Sequence, residues 1–229
     1  MSISIIIPAL NEEECIEPLV NKLWSKSTAA VKEIIVVDGG SKDETVNKAH
    51  KAGATVIKSD PGRAVQMNKG AEKATSNIYY FLHADTMPPH NFDVIIEKSI
   101  HSGTDAGCFR LQFDNNHLLL RFYAWCTRFS FDAFRFGDQS LYVTGELFDK
   151  LGGFDESLTI MEDFNMIKRI KRNHTFKLES DSVITSARRY EKHGVLQLQL
   201  IFILIFTLYR LGIPQKTLLK IYESLNGKK

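Results

Sequence analysis

Cysteine is scarce in this chain, with only Cys15, Cys108 and Cys126 among 229 residues. They are odd in number, far apart, and form no C-x-x-C pair, so they read as buried free thiols in a reducing compartment. Net charge is also small, +2, which leaves a nucleic-acid partner without its usual electrostatic footprint and without a continuous basic face. The opening MSISIIIPALNEEE has no basic leader and only a short strand-like core, so it does not read as a signal peptide, and a cytoplasmic protein is expected. Internal repeats and low-complexity linkers are lacking. Three nucleotide or hydrolase signatures are missing as well. The loop after the first apolar run, PALNEE, has no glycine, against a dinucleotide-binding G-x-G-x-x-G. There is no G-x-x-x-x-G-K-[ST], against a P-loop nucleotidase, and no G-x-S-x-G, against an α/β hydrolase.

What is present fits a folded globular chain. Hydrophobic residues make up 44% and charged residues 24%. The length suits one sizeable domain, or a domain with a short appendage. The charge is unevenly placed: residues 186–229 carry eight Lys or Arg against two Glu, a net +6, leaving the first 185 residues at −4. A basic, apolar C-terminal region on a mildly acidic body suits an anionic membrane, an anionic substrate or an acidic partner.

Short β-branched runs alternate with helical stretches through the first half. Residues 3–7, 34–37, 55–58 and 78–82 read as strands. Asn11, with Glu14 three residues on, forms a capping-box pattern for a helix to about residue 26. Ser41 or Asp43 is expected to cap the next helix, to about residue 52, and residues 62–75 form a third. This spacing predicts βαβ units and a mainly parallel sheet. The second half is less regular. Helices are expected over 89–102, 115–131, 146–151 and 162–172, and strands over 106–113, 141–144, 176–178 and 183–185.

Residues 195–213 form the longest apolar stretch. From Leu200 to Leu208 only Thr207 is not strongly apolar, with Gln197, Gln199 and Arg210 flanking. A spanning helix needs about 20 mostly apolar residues. The run is shorter, which favours packing, self-association or in-plane membrane attachment over spanning. Pro214 starts a last helix to about residue 225.

In a parallel sheet, ligands bind beyond the carboxyl ends of the strands. The polar residues concentrate at such ends: Pro8, Ala9, Asn11 and Glu12 after the first strand, Asp38, Gly39, Gly40 and Ser41 after the second, His83, Ala84 and Asp85 after the fourth. Asp60, Gly62 and Arg63 precede the third helix, which carries Gln66 and Asn68. Each group has a plainer reading: Asn11 and Glu12 as helix caps, Asp38 as a tight-turn residue, Arg63, Gln66 and Asn68 as solvated helix positions. His83 and Asp85 point the same way in an extended segment, and a carboxylate with an imidazole there can hold a divalent ion against phosphates. A turn-forming Asp85 beside a packed His83 is the alternative.

Taken in order, IIIPALNEEE, IIVVDGGSKDET, GRAVQMNKGA, FLHADT and IMEDFNMIKRI resemble the motifs of the inverting glycosyltransferase family 2, of the fold called GT-A, over roughly residues 1–190. HADT, FGDQ at residues 136–139, LGGF at 151–154 and SARRYEKHG at 186–194 further resemble a bacterial branch of that family labelled as arsenosugar-biosynthesis glycosyltransferases.

The resemblance implies an α/β, GT-A-like architecture: a mainly parallel central sheet flanked by helices in a catalytic domain over residues 1–190, and an apolar helical appendage over 191–229. It implies transfer of a sugar from a uridine- or guanosine-type nucleoside diphosphate to a small-molecule or lipid-linked hydroxyl, assisted by Mn²⁺ or Mg²⁺. Pro8, Ala9, Asn11 and Glu12 would border the nucleobase and ribose, with Asp38 at the base edge. Arg63, Gln66, Asn68, His83 and Ala84 would help place the donor. Asp85 would bind the metal through the diphosphate, and Asp163 would be the general base with Glu162 beside it. Gln139, Arg188 and Arg189 would serve the phosphates or the acceptor.

His83 stands where most relatives carry the first Asp of an Asp-x-Asp pair, which removes a negative charge and leaves metal use and donor preference open. Nucleotidyl transfer and a non-catalytic nucleotide-binding relative are the competing readings. The first lacks its glycine-rich basic opening loop, and the retained Asp85 and Asp163 count against the second. The C-terminal helix predicts a dimer or a peripheral membrane contact on the cytosolic face.

Overall fold

The computed structural model describes residues 1–129, 131 and 137–226. Eight strands form one sheet in the order β3-β2-β1-β4-β7-β6-β8-β5. β1 (Ile3–Ala9), β2 (Val31–Asp38), β3 (Thr55–Lys58) and β4 (Ile78–Phe81) run parallel. β5 (Thr86–Met87) is an edge pair, and β6 (Ala106–Phe113), β7 (Leu141–Thr144) and β8 (Phe176–Thr185) complete the sheet. The expected mainly parallel sheet is corrected to a mixed one. β7 lies antiparallel to both β4 and β6, and β5 antiparallel to β8. β6 and β8 are parallel. The two short strands expected over 176–185 are one continuous strand, because its register with β6 shifts between Cys108 and Arg110 instead of breaking.

β1 shows why the sheet is covered on both faces. Alternate side chains point to opposite faces. Ile3, Ile5 and Ile7 join one core, with Leu19 and Leu23 of α1 (Ile16–Lys26) and Phe92 and Ile96 of α4 (Phe92–His101). Ile6 joins the other, with Met67 of α3 (Arg63–Lys73), Phe148 of α6 (Gly145–Lys150) and Ile167 of α7 (Glu162–Asn173). A strand buried on both faces reads as an unbroken apolar run, as ISIIIPA does. α3 lies so close that a Cβ on Gly70 would stand 2.3 Å from Ile6 Cγ2, so only glycine fits.

The first helix starts later than its capping pattern suggested. α1 begins at Ile16, and its cap position, Cys15, makes no side-chain cap bond. Asn11 instead adopts a left-handed backbone, φ 56°, and ties two loops together: its N–H donates to Ser41 Oγ at 2.9 Å and its Oδ1 accepts from Lys42 N at 2.9 Å. Ser41 is thereby used by the first loop and does not cap α2 (Thr45–Lys51). Asp43 Oδ1 takes the Thr45 N–H.

α5 (Leu118–Cys126), α8 (Arg188–His193), α9 (Val195–Arg210) and α10 (Gln215–Asn226) complete the chain. α5 is shorter than the expected 115–131 helix; of that range, residue 130 lies outside the described residues. α9 is no free membrane-like appendage. Its Leu198 is fully buried in a third core with Leu120, Ala187 and Tyr190, and Phe206 and Tyr209 pack edge-on against Phe164 of α7. Among the described residues no helix is long and apolar enough to cross a membrane.

Candidate active site

All but one of the expected site residues fall into three groups; Asn68 is the exception. The first is a frame. Gln66, on α3 and buried, donates through Nε2 to Ala9 O at 2.9 Å and Val37 O at 2.7 Å, joining the ends of β1 and β2. Pro8 and Ala9 pair with Val37 and Asp38 there. Asp38 accepts the Ser41 and Gly40 amides at 3.0 and 3.2 Å, closing its own turn. Gln66 and Asp38 thus both have backbone partners, and the loop between them and Asn11 is pre-formed.

The second group is ionic. Arg188, at the start of α8, reaches across to the first loop. Its Nη2 donates to both Glu12 oxygens at 2.8 and 2.6 Å and lies 3.4 Å from Asp85 Oδ2, while Nη1 lies 3.6 Å from Cys15 Sγ. Burial would lower the Arg188 pKa, but the hydrogen bond and charge of Glu12, then Asp85, raise it overall. Two carboxylates therefore converge on one cation. Cys15, which no sequence motif marks, has its thiol pKa pushed up chiefly by burial.

Glu12 and Asp85 offer hard oxygen donors suited to Mg²⁺ or Mn²⁺. The described residues contain no group of three His, Cys, Asp or Glu placed to hold a metal alone. That donor set fits an ion whose remaining ligands are diphosphate oxygens, as Mg²⁺ sites commonly are.

The third group surrounds a cavity of about 130 Å³. Glu162 and Asp163 open α7, whose first turn favours negative charge. Met161 before them is left-handed, φ 70°, as is Ser140 beside Gln139, φ 61°. Non-glycine residues in that region are strained and tend to mark functional sites. Arg63 Nε stands 3.4 Å from Glu162 Oε1, and the Glu162 charge is the main cause of a raised Arg63 pKa. His83 bridges two carboxylates, with Nδ1 3.4 Å from Asp138 Oδ1 and Nε2 3.9 Å from Asp163 Oδ2. Burial would lower its pKa; the Asp138 hydrogen bond and the two negative charges reverse that and raise it. For Asp138 the order is the same with opposite sign: burial raises, and the His83 bond and charge prevail and lower. Asp163 itself is pushed up to about 6, first by burial and then by the Glu162 charge, with His83 and Arg63 acting against.

Gln139, in the 3-10 turn Gly137–Gln139, lines the same cavity, and its Oε1 lies 3.6 Å from Cys108 Sγ. The adjacent arginines part company. Arg188 serves the ionic group, whereas Arg189 lines the cavity, hydrogen-bonded to the Tyr222 hydroxyl with its guanidinium 5.8 Å from the Phe202 ring centre. Ala84 is buried between His83 and Asp85. Asn68 stands apart. Its Nδ2 donates to Phe154 O and Glu156 Oε1, both at 2.9 Å, and its Oδ1 accepts from Phe154 N at 2.8 Å, so its polar atoms hold the turn beside α7. Arg169 secures the same turn through Leu151 O and Gly153 O.

Sequence reasoning missed Asp138 as the partner of His83, although it lies within FGDQ. It also missed Tyr190, Phe202 and Tyr222 as cavity walls; their spacing reads only as apolar helix. Phe136 of FGDQ lies outside the described residues.

Residues 4–147 match Glycosyl transferase family 2. The chain belongs to that family. It is 31% identical over 98 residues to the glucosyl-3-phosphoglycerate synthase of Mycobacterium tuberculosis (strain ATCC 25618 / H37Rv), covering 39% of this chain and 30% of that protein. To the dolichol-phosphate mannosyltransferase of Pyrococcus furiosus it is 30% identical over 112 residues, 46% of this chain and 32% of the relative. The match thus spans about a third of the length of these relatives.

Among solved structures, a mannosyltransferase from Pyrobaculum calidifontis in complex with GDP-Man and Mn²⁺ superposes with TM-score 0.66 at 16% identity, over 83% of this chain and 60% of that one. The M. tuberculosis glucosyl-3-phosphoglycerate synthase in complex with phosphoglyceric acid gives TM-score 0.61 at 19% identity, over 93% and 81%. These likenesses establish the GT-A-like fold.

Proposed function

We propose that the chain transfers a sugar, with inversion, from a uridine- or guanosine-type nucleoside-diphosphate sugar to a small-molecule or lipid-linked hydroxyl. The observation that carries this reading is Asp163: a buried carboxylate with its pKa raised to about 6, lining a cavity at the edge where Glu12, Asp85 and Arg188 gather. Family membership and the fold support it. So does the structural relative solved with GDP-Man and Mn²⁺.

The chemistry divides between two poles. At the donor pole, the frame of Ala9, Asn11 and Asp38 borders the nucleoside, and Glu12 and Asp85 face the diphosphate. A divalent ion held by Asp85 would neutralise charge on that diphosphate. Arg188 stands ready as a second cation for the leaving group. At the acceptor pole, Asp163 takes the proton of the attacking hydroxyl. A base works best with a pKa near operating pH, and burial beside Glu162 lifts Asp163 toward it. His83, held by Asp138, fixes the other side of the carboxylate. Attack from Asp163's side, opposite the diphosphate, inverts the anomeric carbon. HADT, FGDQ, LGGF and SARRYEKHG are the motifs on which membership of the arsenosugar-labelled branch is proposed.

Because Asp163 acts deprotonated, kcat/KM should rise with pH through about 6 and fall up to tenfold per pH unit below it. A pH–rate profile flat from pH 5 to 8 contradicts the assignment. The donor class is tested by melting curves with UDP, GDP, CDP and ADP, with and without Mn²⁺. UDP or GDP at about a hundredfold over its Kd should raise Tm by roughly 5–10 °C, and only fully with the metal. Stabilisation by none of the four rejects the reading.

The outer face of α9 exposes Leu196, Leu200, Ile203 and Leu204, and α5, packed against α9, exposes Leu118, Phe122 and Trp125. Exposed large apolar side chains gathered on two neighbouring helices are the kind of surface that marks an interaction site. The proposed cover is a second copy or a cytosolic membrane surface. Detergent-free protein should then scatter light as a dimer or float with anionic liposomes. A monodisperse monomer that does neither rejects both covers.

A further inference from the structure

The cavity beside Asp163 is built from two kinds of wall. Its polar members are connected to one another: Arg63 to Glu162, and Asp163 to Asp138 through His83. Its apolar members form a second connected set, in which Tyr190 meets Phe202 edge-on and Phe202 stacks on Tyr222 at 6.4 Å. Phe164 and Ile205 close the same space. The C-terminal helices thus supply an aromatic wall to the cavity that the candidate base also lines. Gln215 strengthens the enclosure, because its Oε1 accepts the amides of Thr159 and Ile160 at 3.2 and 3.3 Å and ties α10 to the loop that carries Met161.

Resting on the glycosyl-transfer reading, we propose that the acceptor is an uncharged alcohol with an apolar ring or short chain, seated against Tyr190, Phe202, Ile205 and Tyr222 with its hydroxyl at Asp163. Three features select that class. Size comes first: an apolar cavity of about 150 Å³ accepts benzene, so one of about 130 Å³ takes a ring or a chain of similar bulk. Charge is the second. Among the described lining residues three carboxylates meet two arginines, and both arginines are engaged, Arg63 with Glu162 and Arg189 with the Tyr222 ring and hydroxyl. An anionic acceptor would face like charge at Glu162 and Asp163, the kind of juxtaposition that rejects a partner. The third is an open acceptor atom. Glu162 Oε1 is buried, takes no hydrogen bond among the described residues and is held by the Arg63 Nε ion contact at 3.4 Å, so a hydroxyl entering beside Asp163 meets a carboxylate oxygen with a lone pair left to accept it.

The test is saturation-transfer NMR on the full chain with benzyl alcohol and, separately, 3-phosphoglycerate as probes. Benzyl alcohol should give a signal and 3-phosphoglycerate none. Ile205→Trp, which fills the cavity from α9, should weaken benzyl alcohol binding at least tenfold. Ile160→Trp fills it from a half-buried position and decides the matter if the first variant does not fold. No signal from benzyl alcohol, a signal unchanged in the folded filler variants, or binding of 3-phosphoglycerate instead overturns the proposal. UDP and GDP binding with Mn²⁺ is measured on the same samples. Nucleotide binding without alcohol binding rejects the acceptor class alone; loss of both rejects the glycosyl-transfer reading as well.

Discussion

Asp163→Asn is expected to lower turnover by about 10²–10⁴-fold, the range associated with loss of a general base. The substitution keeps size and shape but removes the proton-accepting charge. It also removes a charge held under strain, because burial and Glu162 both resist ionisation at this position. Folding should therefore survive and stability should not fall. Nucleotide affinity should change little, since Asp163 is linked to the acceptor cavity and to His83, 3.9 Å away, and makes no bond to Glu12, Asp85 or Arg188 among the described contacts. Single-turnover kinetics with a saturating donor checks this directly. Near-normal turnover in the folded variant removes Asp163 from the mechanism.

Asp85→Asn should produce the other large effect, on binding. Hydrogen bonds and ion contacts to charged groups contribute about 1.5–3 kcal/mol, which corresponds to roughly 10–100-fold in affinity. The loss should appear mainly with Mn²⁺ or Mg²⁺ present, because Asp85 is assigned to the ion. Without metal the change should be smaller, and Arg188 supplies the reason. In the structure its guanidinium spans Glu12 and Asp85, so removing one carboxylate leaves the arginine paired with the other. The two variants therefore separate the poles: one fails in chemistry, the other in donor capture.

The βαβ half of the fold was legible because its signals are local. ISIIIPA, VKEIIVVD and the glycine-bearing turns announce strands and their ends within a few residues. The mixed sheet was not legible, because whether Leu141–Thr144 runs parallel or antiparallel to Ile78–Phe81 depends on a chain path of about sixty residues. Capping was misread at Asn11 for a related reason. The same short side chain that can cap a helix can bond a neighbouring loop, and here Ser41 and Lys42 outcompete the helix amides.

The carboxylates were legible as candidates, but their contacts with one another and with Arg188 and His83 were not. HAD marked His83 and Asp85 as a pair facing one ligand. Instead His83 turns toward Asp138 and Asp163, and Asp85 toward Arg188. The C-terminal stretch shows the same limit. Its apolar composition asked for a cover, and the helix has two roles by face: Leu198, Ile201 and Ile205 pack inward, Phe202 and Ile205 wall the cavity, and Leu196, Leu200, Ile203 and Leu204 face outward. Periodicity identifies a helix; it does not say which of its faces meets a ligand.

Isothermal titration of UDP and GDP into the wild type, Asp85→Asn and Asp163→Asn, each with and without MnCl₂, tests the two-pole account most directly. The account predicts Mn²⁺-dependent nucleotide binding in the wild type and in Asp163→Asn alike, and its loss by about tenfold or more in Asp85→Asn. Equal affinities in all three proteins with metal present, or a loss confined to Asp163→Asn, would contradict it.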